Sequence, residues 1–299
     1  MTLDERALAA HEAAGIAAVH PGDARYPECL GADLDPPSTL FAQGDFAALA
    51  EIRVAIVGTR RCTGAGAGFA REIGRDLTDA GIAVVSGLAL GIDGAAHRGV
   101  LDAGGRPVGV VGSGLDVVYP ARHRDLWERV RATGLLLSEA PLGARPDAWR
   151  FPARNRIIAA LSHLVVVVES HAAGGSLLTV KEAADRDIPV MAVPGSVRSP
   201  SSVGTNRLIA DGCAPVLDTT DIIVALGLTA ASRAVIDRRP PPDWRQELVL
   251  DAFDWEPATL EHLAVRTGMR LPELALVLEG LLSGGWLLAD GGWYERVSP

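Results

Sequence analysis

A chain of 299 residues, 48% of them hydrophobic, has ample material for one large domain or a main domain with small additions. Its formal net charge of −9 argues against a protein coated in basic surface for nucleic acid, although binding follows local rather than net charge. Three widely spaced cysteines, Cys29, Cys62 and Cys213, match neither a disulfide framework nor a metal site, and no apolar stretch is long enough to span a bilayer.

In chain order, Met1 leads into neither a basic segment nor an apolar signal core, so a soluble, cytoplasmic protein without a membrane partner is expected. Residues 1–45 hold a short helical pattern around 8–14. They then turn through Pro27, Pro36 and Pro37 to Leu40-Phe41-Ala42, which reads as a small helical lead-in packed on the main domain. Residues 46–228 alternate short strands with helical stretches. The strands are Val-Ala-Ile-Val (54–57), Ile-Ala-Val-Val (82–85), Val-Gly-Val-Val (108–111), Val-Val-Val-Val (165–168) and Val-Met-Ala-Val (190–193). The helices cover about 66–80, 94–103, 122–133, 155–161 and 177–187. Hydrophobicity is continuous along each strand rather than alternating, so both sheet faces are covered, as in a doubly wound, mostly parallel α/β fold.

Residues 229–242, ending Arg238-Arg239-Pro240-Pro241-Pro242, read as a proline-rich linker. Residues 243–299 then form a separate pattern. Helices are expected over 248–253, 259–267 and 271–282, with Thr259 as an N-cap and Gly268 as a stop. Trp286-Leu287-Leu288, Asp290-Gly291-Gly292 and Trp293-Tyr294 make a hairpin-like wing. The whole is a winged helix-turn-helix pattern.

Most of the strands in the main domain empty into small, donor-rich elbows. These are Gly58-Thr59-Arg60-Arg61, Ser86-Gly87, Gly112-Ser113-Gly114, Gly174-Gly175-Ser176 and Pro194-Gly195-Ser196. In an open parallel sheet, ligands bind outside the carboxyl ends of the strands, and glycines with helix-start N–H groups suit phosphate there. Gly204-Thr205-Asn206-Arg207 supplies a further turn of donors. The standard nucleotide fingerprints fail, however. No Gly-Lys-Ser/Thr occurs, Gly58 is followed by Thr-Arg-Arg rather than x-G-x-x-G, and no acidic residue ends the second strand. NAD and ATP chemistry are therefore not expected, and no cofactor is assigned.

Two clusters remain to be read. Asp93 and His97 lie four apart on one helix face; a metal or acid–base pair is one reading, and Asp93 as an N-cap that orients His97 is the simpler one. Arg145, Arg150, Arg154 and Arg156 fall within twelve residues that hold one acid, Asp147. With a helix beginning near Asn155, Arg156 sits in a first turn and opposes the helix dipole, a conflict that an anion at that end would relieve. Trp149 and Phe151 beside these arginines suit stacking on unpaired bases, and each ring alone suits the core equally well.

These residues resemble the DNA-processing protein A (DprA, also called Smf) family of bacterial DNA uptake and recombination. The matching stretches run from Tyr26 to about Ile223. They include Val57-Gly58-Thr59-Arg60, Val85-Ser86-Gly87-Leu88-Ala89 with Gly91-Ile92-Asp93 and Ala96-His97, and Phe151-Pro152 with Arg154-Asn155-Arg156-Ile157-Ile158. Gly175-Ser176-Leu177 with Thr179, Pro194-Gly195-Ser196, and Gly204-Thr205-Asn206-Arg207-Leu208-Ile209 with Asp211-Gly212 complete the set. The resemblance implies a Rossmann-like core that binds single-stranded DNA, forms a homodimer, and loads RecA recombinase without catalysis of its own. It places the DNA site on Arg60, Ser86, Gly87, Gly112, Ser113, Gly114, Arg145, residues 151–156 and residues 174–176, to which the elbow chemistry adds Gly58, Thr59, Arg61 and Asn206. One departure is the loop His171-Ala172-Ala173-Gly174, where a more polar stretch ending Ser-Gly-Ser is expected.

Two other readings compete. A related superfamily of nucleoside-monophosphate phosphoribohydrolases uses Pro-Gly-Gly-x-Gly-Thr-x-x-Glu at a similar strand end. Here the glutamate slot holds Lys181 and Glu182 falls one residue late, which turns a helix side chain by roughly 100°. A transcription regulator would use the winged helix on duplex DNA. Residues 243–299 hold ten Asp/Glu against four Arg, and the candidate recognition helix carries Glu273 and Glu279 with no base, so weak duplex binding and a protein-contacting or regulatory role are expected.

Overall fold

The computed structural model describes residues 5–49, 52–228, 239–253 and 256–297; most of the expected linker, 229–238, lies outside them. The chain divides into two compact units, Met1–Ala231 and Ser232–Pro299.

The first unit is built on one nine-stranded sheet. Its strands are β1 (Ala17–Val19), β2 (Leu40–Gly44), β3 (Arg53–Val57), β4 (Ala83–Ser86), β5 (Val108–Val111), β6 (Leu135–Ser138), β7 (Leu164–Val167), β8 (Val190–Ala192) and β9 (Ala214–Pro215). They lie in the order β1-β2-β6-β5-β4-β3-β7-β8-β9. All pairings from β6 to β9 are parallel, and only β1–β2 and β2–β6 are antiparallel. The helices are α1 (Glu5–Ala13), α2 (Glu28–Gly31), α3 (Gly64–Asp79), α4 (Ile92–Asp102), α5 (Arg124–Thr133), α6 (Arg150–Ala160), α7 (Ser176–Ala184), α8 (Val203–Ala210) and α9 (Thr219–Ala225).

Alternate strand residues enter opposite layers of core, which explains the unbroken apolar runs. Ala55, Val57, Val165 and Val167 pack with Ile157, Ile158 and Leu161 on one face. Val54, Ile56, Leu164 and Val166 pack with Ile73, Leu77, Ile92 and Val100 on the other. Glycines bring α3 and α4 together, since a Cβ on Gly74 would strike the Ala96 carbonyl and one on Gly99 the Arg71 carbonyl.

The sheet is wider than the sequence suggests. The lead-in contributes β1 and β2 to one edge rather than simply packing on the core, and Leu135-Leu136-Leu137-Ser138 forms a strand between β2 and β5. That leucine-rich run follows α5 after Gly134 alone and lacks the β-branched residues that mark the other strands.

The second unit has helices α10 (Trp244–Asp251), α11 (Leu260–Thr267) and α12 (Leu271–Ser283) with a three-stranded antiparallel sheet of β10 (Ala258–Thr259), β11 (Leu287–Asp290) and β12 (Trp293–Arg296). Thr259 caps α11 by accepting the His262 N–H, and Gly268 ends it in the left-handed conformation at φ 70°. Val249, Phe253, Leu263, Leu274, Leu278 and Leu287 form its core. These elements are consistent with the expected winged helix.

Candidate functional site

The chain leaves β3 toward β4 on one side of the sheet and later places β7 on the other, so the strand order reverses between β3 and β7. Beyond their carboxyl ends lies an open crevice of about 650 Å³. This is where a doubly wound sheet offers a ligand site. Its walls come from the loop after β3, the starts of α4 and α7, and one face of α6.

The β3 loop is tied down at both ends. Thr59 donates its N–H to the Glu169 carbonyl at 2.8 Å, and its hydroxyl accepts the Arg61 N–H at 3.2 Å. Gly58 leaves no room for a side chain, because a Cβ would lie 2.5 Å from Ile92 and 2.9 Å from the Glu169 carbonyl. Farther along, the Glu169 carboxylate accepts the Thr63 N–H at 2.9 Å and its hydroxyl at 2.6 Å. Arg60 and Arg61 project from this anchored loop, both exposed, and neither makes an ion pair with a described residue. The Arg60 guanidinium lies 5.0 Å from the centre of the Phe151 ring.

The turn after β4 supplies support rather than contact. Ser86 is fully buried and its hydroxyl donates to the Ile56 carbonyl at 2.6 Å. Leu88 adopts φ 54°, costly for a branched residue. Asp93 fixes that turn by accepting the Gly87 and Ala89 N–H groups at 3.2 and 3.4 Å, while His123 bonds the Leu88 carbonyl. Asp93 is thus not the N-cap of α4; that position is Gly91, and Asp93 makes no hydrogen bond to His97. The His97 ring is wholly buried, and burial pushes its pKa down to about 3, so it is neutral at physiological pH. Neither residue joins a His, Cys, Asp or Glu group able to hold a metal among the described residues.

Arg154 is buried beneath the crevice floor. It donates to the Gly87 carbonyl at 2.7 Å and to the Val110 carbonyl, and a Cβ on Gly87 would overlap its guanidinium. Burial pulls its pKa down to about 10 against the opposing charge of Asp93, which leaves it cationic at neutral pH. Burial likewise pushes the Asp93 carboxyl up, with Arg154 opposing.

Helix α6 starts at Arg150, five residues before the expected boundary. Asn155 and Arg156 therefore lie beyond the first turn, and the dipole argument does not apply to them. Phe151 sits in the first turn, half-buried, lining the crevice with Tyr119 5.4 Å away. Trp149 is 64% exposed, with Arg150 over its ring, and borders an adjoining hollow of about 290 Å³. Asn155 lines the crevice while 91% buried, and its side-chain amide has no hydrogen-bond partner among the described residues. Arg156 points elsewhere. It bridges Asp35 at 2.8 Å and Glu139 at 2.7 Å and is absent from the crevice wall.

On the far wall, Gly174, Gly175 and Ser176 lead into α7. The N–H groups of Gly175 and Ser176 have no partner among the described residues, and the space beside the Gly175 Cα is open. Gly174 cannot carry a side chain, because a Cβ would meet the Ser170 hydroxyl. Ser170 in turn accepts the Ser176 hydroxyl at 3.0 Å.

The remaining expected residues serve their own loops. Gly112 lies against Phe151. Ser113 is buried and donates to the Val117 carbonyl at 2.8 Å, and Gly114 donates to the Ala144 carbonyl at 2.9 Å. Asn206 forms a paired clasp with the Gly195 backbone, at 3.1 and 2.9 Å. Arg145 is exposed beside Pro146, which borders the crevice. Glu182 lies outside the crevice wall and pairs with Arg186 at 2.7 Å.

The crevice therefore presents two arginines that pair with no acid among the described residues, helix-start amides, the side-chain amide of Asn155 and an aromatic face. Residues 17–227 match the profile of DNA recombination-mediator protein A. The chain belongs to the DNA recombination-mediator protein A family. Protein Smf of Escherichia coli K12 is 36% identical over 281 residues, covering 91% of this chain and 75% of that protein. DNA processing protein DprA of Bacillus subtilis is 38% identical over 222 residues, covering 74% and 75%. The X-ray structure of DprA from Streptococcus pneumoniae superposes with a TM-score of 0.68 at 36% identity, over 72% of this chain and 77% of that one. A structure of DNA processing protein A from Helicobacter pylori, described for its single-stranded DNA binding mode, superposes with a TM-score of 0.64 at 29% identity, over 71% and 95%.

Sequence reasoning missed Tyr119 and the hydrogen bonds by which Asp93 and Glu169 hold their loops. Tyr119 carries no periodic signal. Its one clue is Pro120, which marks a loop returning over the strand ends.

Proposed function

We propose that the protein binds single-stranded DNA along the strand-end crevice, largely without regard to sequence. Arg60 and Arg61 meet phosphates as exposed cations on an anchored loop, and the Gly175 and Ser176 amides hold a phosphate at the start of α7. Phe151 and Tyr119 offer a stacking surface to a base, and Asn155 supplies the hydrogen-bonding groups of its side-chain amide at the crevice wall. The observation that carries this reading is the meeting, in one crevice, of the exposed Arg60 and Arg61, which pair with no acid among the described residues, and the open helix-start amides of Gly175 and Ser176. Family membership and the DNA-binding description of the Helicobacter pylori relative support the same assignment.

On this reading the protein is a chaperone of DNA rather than an enzyme. It protects incoming single strands and, as a homodimer joining two crevices, presents them to RecA recombinase during transformation and recombination. The acidic second unit takes a regulatory or protein-contacting role, and a chain ended at residue 242 retains single-strand binding. Fluorescence anisotropy with labelled oligo-dT and a matching duplex tests the core claim. A clear preference for the single strand is expected; equal affinity for both, or none for either, overturns it, and sedimentation at the same concentrations checks the dimer.

A further inference from the structure

The helix that follows the first core strand is the usual phosphate seat of a doubly wound fold, because its first-turn N–H groups and dipole both favour an anion. In this protein that helix is α3, and an anion from the chain itself is already there. The Glu169 carboxylate reaches across from the end of β7 and accepts the Thr63 N–H at 2.9 Å and the Thr63 hydroxyl at 2.6 Å. It also lies directly on the first turn, since a Cβ on Gly66 would fall on the carboxyl carbon and within 2.8 Å of its outer oxygen. A helix Cβ tilts toward the N-terminus, so this overlap puts the carboxylate over the helix start. Glu169 is 8% exposed, the Gly66 N–H is taken by the Thr63 hydroxyl at 3.0 Å, and the exposed Gly64 and Ala65 N–H groups, which have no partner among the described residues, lie beside the carboxylate.

We propose that Glu169 is a specificity residue: its carboxylate sets a negative charge beside the start of α3, disfavours the phosphates of a free nucleotide at the amides there, and leaves α7 as the helix start that meets phosphate. A second anion placed beside Glu169 would face like charge in a largely dry pocket, where such repulsion is strong. The same residue also straps the β3 loop at two points, by its carbonyl to Thr59 and by its carboxylate to Thr63. Arg60 and Arg61 lie between those points, so the residue that disfavours phosphate at α3 also holds the two cations at the crevice. The absence of a dinucleotide fingerprint after β3 then has a structural counterpart: the helix start a nucleotide would use has a carboxylate beside it. Only the last clause of the proposal, about α7, rests on the DNA-binding reading above.

The test is calorimetric titration of inorganic pyrophosphate and of ADP into the full chain and into Glu169→Ala. Removing the carboxylate is expected to raise affinity for both ligands by about ten-fold or more, the worth of one unfavourable charge contact relieved. A folded Glu169→Ala that gains nothing, or a wild-type chain that binds as tightly as the variant, overturns the proposal. Should the variant not fold, backbone amide NMR of the wild-type chain decides. Added pyrophosphate is expected to leave the Thr63, Gly64 and Gly66 signals in place, and movement of those signals overturns the exclusion. The DNA-binding reading fails separately, if oligo-dT leaves the Gly175 and Ser176 amides unmoved.

Discussion

Arg60 and Arg156 both stand out in the sequence, one in a glycine elbow and one in an arginine-rich stretch beside aromatic residues, yet they end in opposite surroundings. Arg60 projects from a loop anchored at Thr59 and Thr63, meets no carboxylate among the described residues, and lies over an aromatic face. Arg156 is held between Asp35 and Glu139 on the other side of α6, with its side chain only 12% exposed. Arg154, two residues before it, is buried under the crevice and props up two strand-end turns. What an arginine does is thus set by the acceptors already around it, and three arginines of one family motif set divide into crevice-facing, floor-building and fold-stitching.

That division can be broken by mutation. Arg154→Ala should cost most, about 3–5 kcal/mol of folding stability, because it strands Asp93 in the interior and frees two buried carbonyls. Urea denaturation measures this, and a loss below about 1 kcal/mol would show the floor to be held by something else. Arg156→Ala should lower stability by about 1.5–3 kcal/mol through its lost charged hydrogen bonds. Its affinity for oligo-dT, measured at a temperature where the variant is fully folded, should not change. Arg60→Ala should do the reverse, weakening oligo-dT binding by about ten-fold with an unchanged melting temperature, since a charged contact is worth roughly that factor. The smallest effect is expected from Asn155→Leu. Binding should fall a few-fold while stability changes little, because the side-chain amide lies at the crevice and hydrogen-bonds no described residue. A clearly destabilised Asn155→Leu would mean that the amide supports the fold rather than the ligand.

The sheet interior was legible in the sequence because strands covered on both faces are uniformly apolar and β-branched, as Val165-Val166-Val167 illustrates. β6 was not, since Leu135-Leu136-Leu137 has no period that separates a buried strand from a helix end. The β3 and β7 loops were legible as site walls from glycine and arginine after strands. The register of α6 was harder to read. Pro152 looks like a helix boundary, but it lies inside the first turn of α6, where its missing N–H leaves no helical bond unmade. Moving the start to Arg150 carried Arg156 off the crevice while leaving Phe151 and Asn155 on it. Partners distant in sequence, Asp35 and Glu139 for Arg156 or Gly195 for Asn206, leave no local trace, and they decided which residues remain available to a ligand.

The most direct test of the account is the salt dependence of oligo-dT binding in the wild-type chain and in Arg60→Ala/Arg61→Ala. If these two arginines meet phosphates, the slope of log affinity against log salt should become shallower by about 0.7 for each contact removed, with the folded state intact. An unchanged slope in the folded double variant would contradict the account and place the phosphate path away from the β3 loop.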